Sequence, residues 1–238
     1  GICLLAATGW SIVTEIDQPW KEFQKDSAKT EKELLLATKH QLEDQKKGAS
    51  ETAIKQLNAK ARRLDRKIEL VQKRSAKIDQ LWIEDLKRAD RCMTCHSGVQ
   101  KAIFAESRGA FVKHPSDFLK THPTKKFGCT LCHDGDGMGL TVPSGHGQDV
   151  HWNRPLLSGK LVQSSCRRCH PYNEQIPQHI SFPQAPDLSR GKNLYVEKGC
   201  RGCHELAGFK RPVSIAPVLS RVGEKVNGNW LAKWLKRP

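Results

Sequence analysis

The sequence predicts a mainly α-helical chain: an apolar N-terminal helix, a long helical hairpin or coiled-coil stalk, then a loop-rich region with short helices that ends in a small helical module. Three observations predict it. Residues 20–90 contain no proline and one glycine, Gly48, amid dense Lys, Glu, Gln, Leu and Ala, all good helix formers. Gly1–Val13 carries no charged side chain. After Arg91, Gly, Pro, His, Asp and Ser become frequent and no hydrophobic period outlasts a turn or two, yet a cysteine pair keeps recurring.

Residues 1–19 are expected to form part of a membrane anchor. The uncharged run is too short to span a bilayer alone, and a short buried helix is the competing reading. Trp10 and Trp20 suit an interfacial belt, and the acidic flank Glu15 and Asp17 is compatible with the non-cytoplasmic side. A chain beginning at Gly1 instead of methionine is expected to be processed or incomplete. Cys3 reads most simply as a small buried hydrophobe.

Residues 20–90 follow as a helical stalk. Leu57, Ala61, Leu64, Ile68, Val71, Ser75, Ile78 and Trp82 keep a spacing of three and four, a coiled-coil seam with one polar interruption. Gly48-Ala49-Ser50 can end one helix and cap the next, so a hairpin is preferred over one long rod. Its apolar face either packs on the rest of the chain or docks other subunits.

Residues 91–188 and 189–238 carry the chemistry. Eight of the nine cysteines fall in four C-x-x-C-H units: Cys92–His96, Cys129–His133, Cys166–His170 and Cys200–His204. Two intervening residues let both thiols reach the two vinyl groups on one porphyrin edge, and the next residue turns its imidazole to the iron. This is the c-type haem attachment signature. Cys92, Cys95, Cys129, Cys132, Cys166, Cys169, Cys200 and Cys203 are therefore expected to bind four haems c covalently, with His96, His133, His170 and His204 as proximal ligands. A random chain of this composition would show on the order of 0.01 such units, so chance is excluded. Zinc is the rival for paired cysteines, but a zinc site needs no histidine after every second cysteine.

The formal charge of +15 points first to nucleic acid or an acidic membrane. Two propionates per haem change that sum: four haems would leave roughly +7 to +11, so much of the Lys and Arg excess compensates the cofactor and no nucleic-acid partner is expected.

Six histidines remain outside the motifs. His40 reads as part of a solvated helix face. His114, His122, His146, His151 and His179 lie between the first and last units, and three of the five are expected as distal ligands, led by His114, His146 and either His151 or His122. Met138 could be an axial thioether but reads better as loop filler. The fourth haem would take its sixth ligand from beyond Pro238, from Met138 or His179, or from nothing.

Ser189–Val196 can form a helix leading into Cys200, and Asn229–Lys236 a second, amphipathic one. Gly191-Lys192-Asn193-Leu194-Tyr195, Gly199–His204, Ala216-Pro217-Val218-Leu219 and Trp230–Leu235 together resemble a mono-haem class I cytochrome c, which implies a module at 189–238 incomplete at its C-terminal end. Asp90–His96, His122-Pro123, Phe127–Gly135, His146-Gly147 and His151-Trp152 resemble membrane-anchored multihaem cytochromes that accompany bacterial cytochrome b–Rieske quinol-oxidising complexes. That resemblance implies a periplasmic location on the cytoplasmic membrane, other subunits of a membrane redox complex as partners, and a soluble redox acceptor.

The expected function is electron transfer without substrate turnover, since four haems attached between Cys92 and His204 must lie close together. A multihaem redox enzyme with one open iron, and a haem-bearing structural subunit of a respiratory assembly, are the alternatives.

Overall fold

Helices dominate the chain. The structure, a computed structural model, describes residues 1–16, 18–170, 185–207, 209 and 215–237. Two compact units divide it. One comprises Gly1–Thr130 with Gly135–Asp149, the other Leu131–Asp134 with Val150–Pro238. All three borders fall inside the stretch expected to form one three-haem module.

In the first unit, α1 (Ile2–Ile16) has 15 residues, or about 22 Å of helix against about 30 Å of bilayer hydrocarbon. No helix among the described residues is long and apolar enough to cross a membrane. Ile2, Leu4, Leu5, Trp10, Ile12, Val13 and Ile16 are all exposed, and so is Cys3, which was expected to be buried.

The helical hairpin is present. Pro19, at the first position of α2 (Pro19–Gln45), has no N–H to lose there. The chain turns through Gly48, at φ +80, and Ser50 caps α3 (Glu51–Gln72) by accepting from Ala53 N. Lys39 meets Asp65 at 2.5 Å and Arg74 meets Glu31 at 2.9 Å, so α2 and α3 run antiparallel. Trp20, Ser27, Glu31 and Leu35 form one buried stripe on α2. Trp20 is thus a core residue of this unit and not part of an exposed belt.

The stripe faces the first C-x-x-C-H unit. Ser27 Oγ lies 2.5 Å from Ser97 Oγ, Gln24 Nε2 donates to Thr94 O at 3.0 Å, and Lys101 reaches Glu31 at 2.8 Å. The reading in which the hairpin packs on its own chain is therefore correct for α2.

The stalk does not continue to residue 90. Its seam ends at Val71; Ser75, Ile78 and Trp82 are not helical, and Ile78 and Trp82 are exposed. Side chains from elsewhere take over the backbone that a helix would have used. The Gln24 amide accepts from Lys77 N at 3.0 Å and donates to Lys77 O at 2.6 Å, while Thr94 Oγ1 accepts from Asp79 N at 3.0 Å. The chain then forms an antiparallel hairpin of β1 (Leu81–Ile83) and β2 (Arg88–Asp90), which suits Trp82 and Ile83. Register pairs Leu81 with Asp90 and Ile83 with Arg88. Ile83 and Phe104 are fully buried and form the apolar centre here. Short helices α4 (Phe118–Thr121), α5 (Thr124–Phe127), α6 (Thr130–His133) and α7 (Val142–Gly145) follow.

In the second unit a 3-10 stretch, Gly159–Arg168, leads into the third motif. The Gln163 amide caps α8 (Pro186–Glu197) from outside, accepting from Asp187 N and Leu188 N and donating to Asp187 Oδ2. The helix expected over Ser189–Val196 therefore spans Pro186–Glu197 and is tied to residue 163. Tyr195 OH donates to His204 O at 2.6 Å, and its ring meets buried Phe209. The expected last helix is α9 (Gly228–Lys236), capped by Asn227. His179 lies outside the described residues.

Candidate functional site

Three of the four motifs fold into the same tight turn. His96 N, His170 N and His204 N each donate to the carbonyl of the first cysteine of their motif, Cys92, Cys166 and Cys200, at 2.9 Å. The second cysteine closes a shorter loop on the same carbonyl, at 3.2, 3.4 and 3.2 Å. Such a turn holds both cysteines in one loop, with the imidazole-bearing residue directly after them. In the remaining motif Cys132 and His133 lie on α6.

The imidazoles are oriented from behind. His96 Nδ1 is 3.1 Å from Ala110 O, His133 Nδ1 is 3.2 Å from Leu157 O, and His204 Nδ1 is 2.7 Å from Pro217 O. A carbonyl can only accept, so each Nδ1 carries the proton and the lone pair sits on Nε2. That is the tautomer a metal-binding histidine needs.

Opposite His96 stands His146. Their ring centroids are 6.2 Å apart and their planes differ by 26°. The rings lie near parallel, toward the long end of ring contact. Two imidazoles bonded through nitrogen at about 2 Å to one metal between them would have centroids about 6.3 Å apart. The centroid spacing therefore matches that of two ligands on one metal, and His146 is positioned at the end of α7 by its N–H to Val142 O at 3.0 Å.

Successive motifs are bonded to one another. Asp90, 1% exposed, joins the first two: Oδ1 accepts from Cys92 N at 3.2 Å, and Oδ2 from Cys129 N at 2.7 Å, Thr130 N at 2.9 Å and Thr130 Oγ1 at 3.2 Å. In the second unit Ser165 Oγ donates to Cys132 O at 2.6 Å, and Arg168 of the third motif pairs with Asp134 at 2.6 Å. Arg167, also of the third motif, donates to Ala207 O just beyond the fourth, at 2.5 Å. The order along the chain is thus the order of contact.

Burial raises the Asp90 carboxyl, but the N–H groups of Thr130 and Cys129 more than offset this and hold it below its ordinary value. The Cys129 thiol, burial and the Asp90 charge together push the Cys92 thiol far up; burial alone raises Cys95 and Cys166. One carboxylate oxygen of Asp90 and the sulfurs of Cys92 and Cys129 lie within 4.8 Å of one another, close enough to hold a metal ion.

Two further features bear on a cofactor. Arg88 Nε and Nη2 are buried and meet no acceptor among the described residues, and this fork matches a carboxylate. Buried apolar side chains are few: Trp20, Leu35, Ala61, Val71, Ile83, Phe104, Ala185 and Phe209 among those described. A large apolar group bound at the motifs would supply the missing core. The residues present fit a covalently attached porphyrin.

The other expected ligands are placed less distinctively. His122 is half-buried against the Phe127 ring at 5.3 Å, with Thr121 Oγ1 2.9 Å from its Nδ1. His114 is half-buried and its N donates to Val99 O; His151, His170 and His40 are exposed. Met138 is exposed on a loop where its N meets Asp136. Asp90, Gln24 and Gln163 were not singled out for these roles in the sequence: a polar residue that closes on backbone tens of residues away leaves no periodic trace. Compared with protein-family models, curated proteins and solved structures, the chain matches none.

Proposed function

We propose that the chain is a tetrahaem c-type cytochrome that passes electrons from a membrane quinol-oxidising complex to a soluble acceptor on the periplasmic side. One observation carries the reading: His96, the imidazole of a C-x-x-C-H unit, faces His146 at 6.2 Å, the spacing of two axial ligands on one iron. Covalently bound haem supplies reversible one-electron chemistry at its iron.

The chain's own residues do the rest. The cysteine pairs fix each porphyrin edge, and carbonyls of Ala110, Leu157 and Pro217 orient three of the proximal imidazoles. His146 would close the sixth position of the first iron, so that iron would offer no open site for substrate. Asp90, Ser165, Arg168 and Arg167 keep each motif against the next, so electrons meet short steps. Exposed apolar side chains around α1 support a membrane contact, and the basic surface would steer an acidic partner.

Reduction by quinol tests this. The oxidised full-length chain is mixed with membranes containing a quinol-oxidising complex, and the haem bands are followed with and without carbon monoxide. The reading predicts quinol-dependent reduction, slowed by salt, with no carbon monoxide spectrum from the first haem. Carbon monoxide binding there, with turnover of a small nitrogen compound, would make the chain an enzyme instead.

A further inference from the structure

We propose that Asp90 is a positioning residue that couples the first two haems: it holds the Cys92 and Cys129 attachment points side by side and, as a buried negative charge shared by both, lowers the reduction potentials of that pair alone. This rests on the haem reading above.

The geometry is specific to two motifs. Asp90 closes β2, and its side chain spans from Cys92 N on one oxygen to Cys129 N and both hydrogen-bonding groups of Thr130 on the other. The two sulfurs and a carboxylate oxygen fall within 4.8 Å of one another. On the haem reading each sulfur would bond its own porphyrin, and the closeness of the two sulfurs would bring the two attachment edges together. Gly128 admits the approach, because a Cβ there would stand 2.9 Å from Asp90 Oδ2.

The charge follows from the donors. Four hydrogen bonds, three of them from backbone N–H groups, stabilise the ionised form. Each reduction adds an electron to a haem beside this carboxylate, and in a buried site the repulsion is weakly screened. Both attached haems are therefore held toward the oxidised state. At the third motif the nearby carboxylate, Asp134, is neutralised by Arg168 at 2.6 Å, whereas Asp90 meets only uncharged donors.

The test uses the full chain matured with its haems, counted by intact mass, and a spectroelectrochemical titration that resolves the potentials. In Asp90→Asn four haems remain and two potentials rise together while two stay. Asp90→Glu, which keeps the charge, returns the pair toward the wild-type values. Thr130→Val removes one donor but keeps the carboxylate, so the same two potentials move down. This variant serves if Asp90→Asn does not mature. Four haems with unmoved potentials in Asp90→Asn, or a shift shared by all four in either variant, overturns the role of Asp90 and leaves the haem reading intact. A wild-type chain without four haems overturns that reading itself.

Discussion

Asp90 Oδ2 accepts a hydrogen bond from Cys129 N at 2.7 Å across 39 residues of sequence. That single bond draws two cysteine-histidine units together and places a carboxylate where neither water nor a counter-ion is needed to satisfy it. Its consequences reach from folding to pH response.

Acid should weaken the first unit through two carboxylates. Burial raises Asp90 and Glu31, but N–H donors lower the first, and Lys101 and Arg74 lower the second, by more. A carboxyl depressed by folding contributes stability that is complete above its ordinary value, 3.8 for Asp and 4.5 for Glu, and lost as pH falls from there through the folded value. Melting temperature is therefore expected to be flat from neutral pH to about 5 and to fall below it. In Asp90→Asn and Glu31→Gln the acid limb should be shallower, as calorimetry against pH would measure; an unchanged limb in both counts against the assignment.

Gly128 should tolerate no side chain. Its φ is +66, and an added Cβ would also stand 3.1 Å from Ile83 Cδ1. Gly128→Ala is expected to cost about 1–3 kcal/mol, from left-handed strain and from displacing Asp90. Thermal denaturation gives the number, and a melting point equal to wild type would contradict it.

Gln24 ends the stalk from a distance. Gln24→Ala removes three hydrogen bonds, two to Lys77 and one to Thr94, and should destabilise by about 1–3 kcal/mol. Urea denaturation followed by circular dichroism would show a lower midpoint with little loss of helix.

His146 carries the first iron's sixth bond in this account. His146→Ala should convert one low-spin ferric haem to high-spin, visible by electron paramagnetic resonance, and open one site to carbon monoxide. His40→Ala, on the exposed side of α2, should change neither. An unaltered spectrum in His146→Ala would remove His146 from the iron.

Local signals were legible in the sequence and long-range closures were not. Ser50 and Gly48 announced the hairpin because caps and turns are set by neighbouring residues. Asn229–Lys236 read as a helix from its period and forms α9 with its edge one residue earlier. The seam beyond Val71 misled: Ile78 and Trp82 kept the spacing, but Gln24 and Thr94 supplied better partners for that backbone. At the site, the spacing of the motifs singles out the eight cysteines and four histidines, and the turns that the structure shows at three of them are local. Which histidine lies near His96 depends on how the loop ending in α7 folds back, and only the 6.2 Å ring separation in three dimensions singles out His146 among the described candidates.

Everything depends on covalent haem, and a pyridine haemochrome assay with intact mass spectrometry measures it directly. The account predicts four haems per chain and a mass that accounts for all four, with only Cys3 alkylated after denaturation. Fewer haems than four, or motif thiols that alkylate freely while elemental analysis finds zinc, would contradict it.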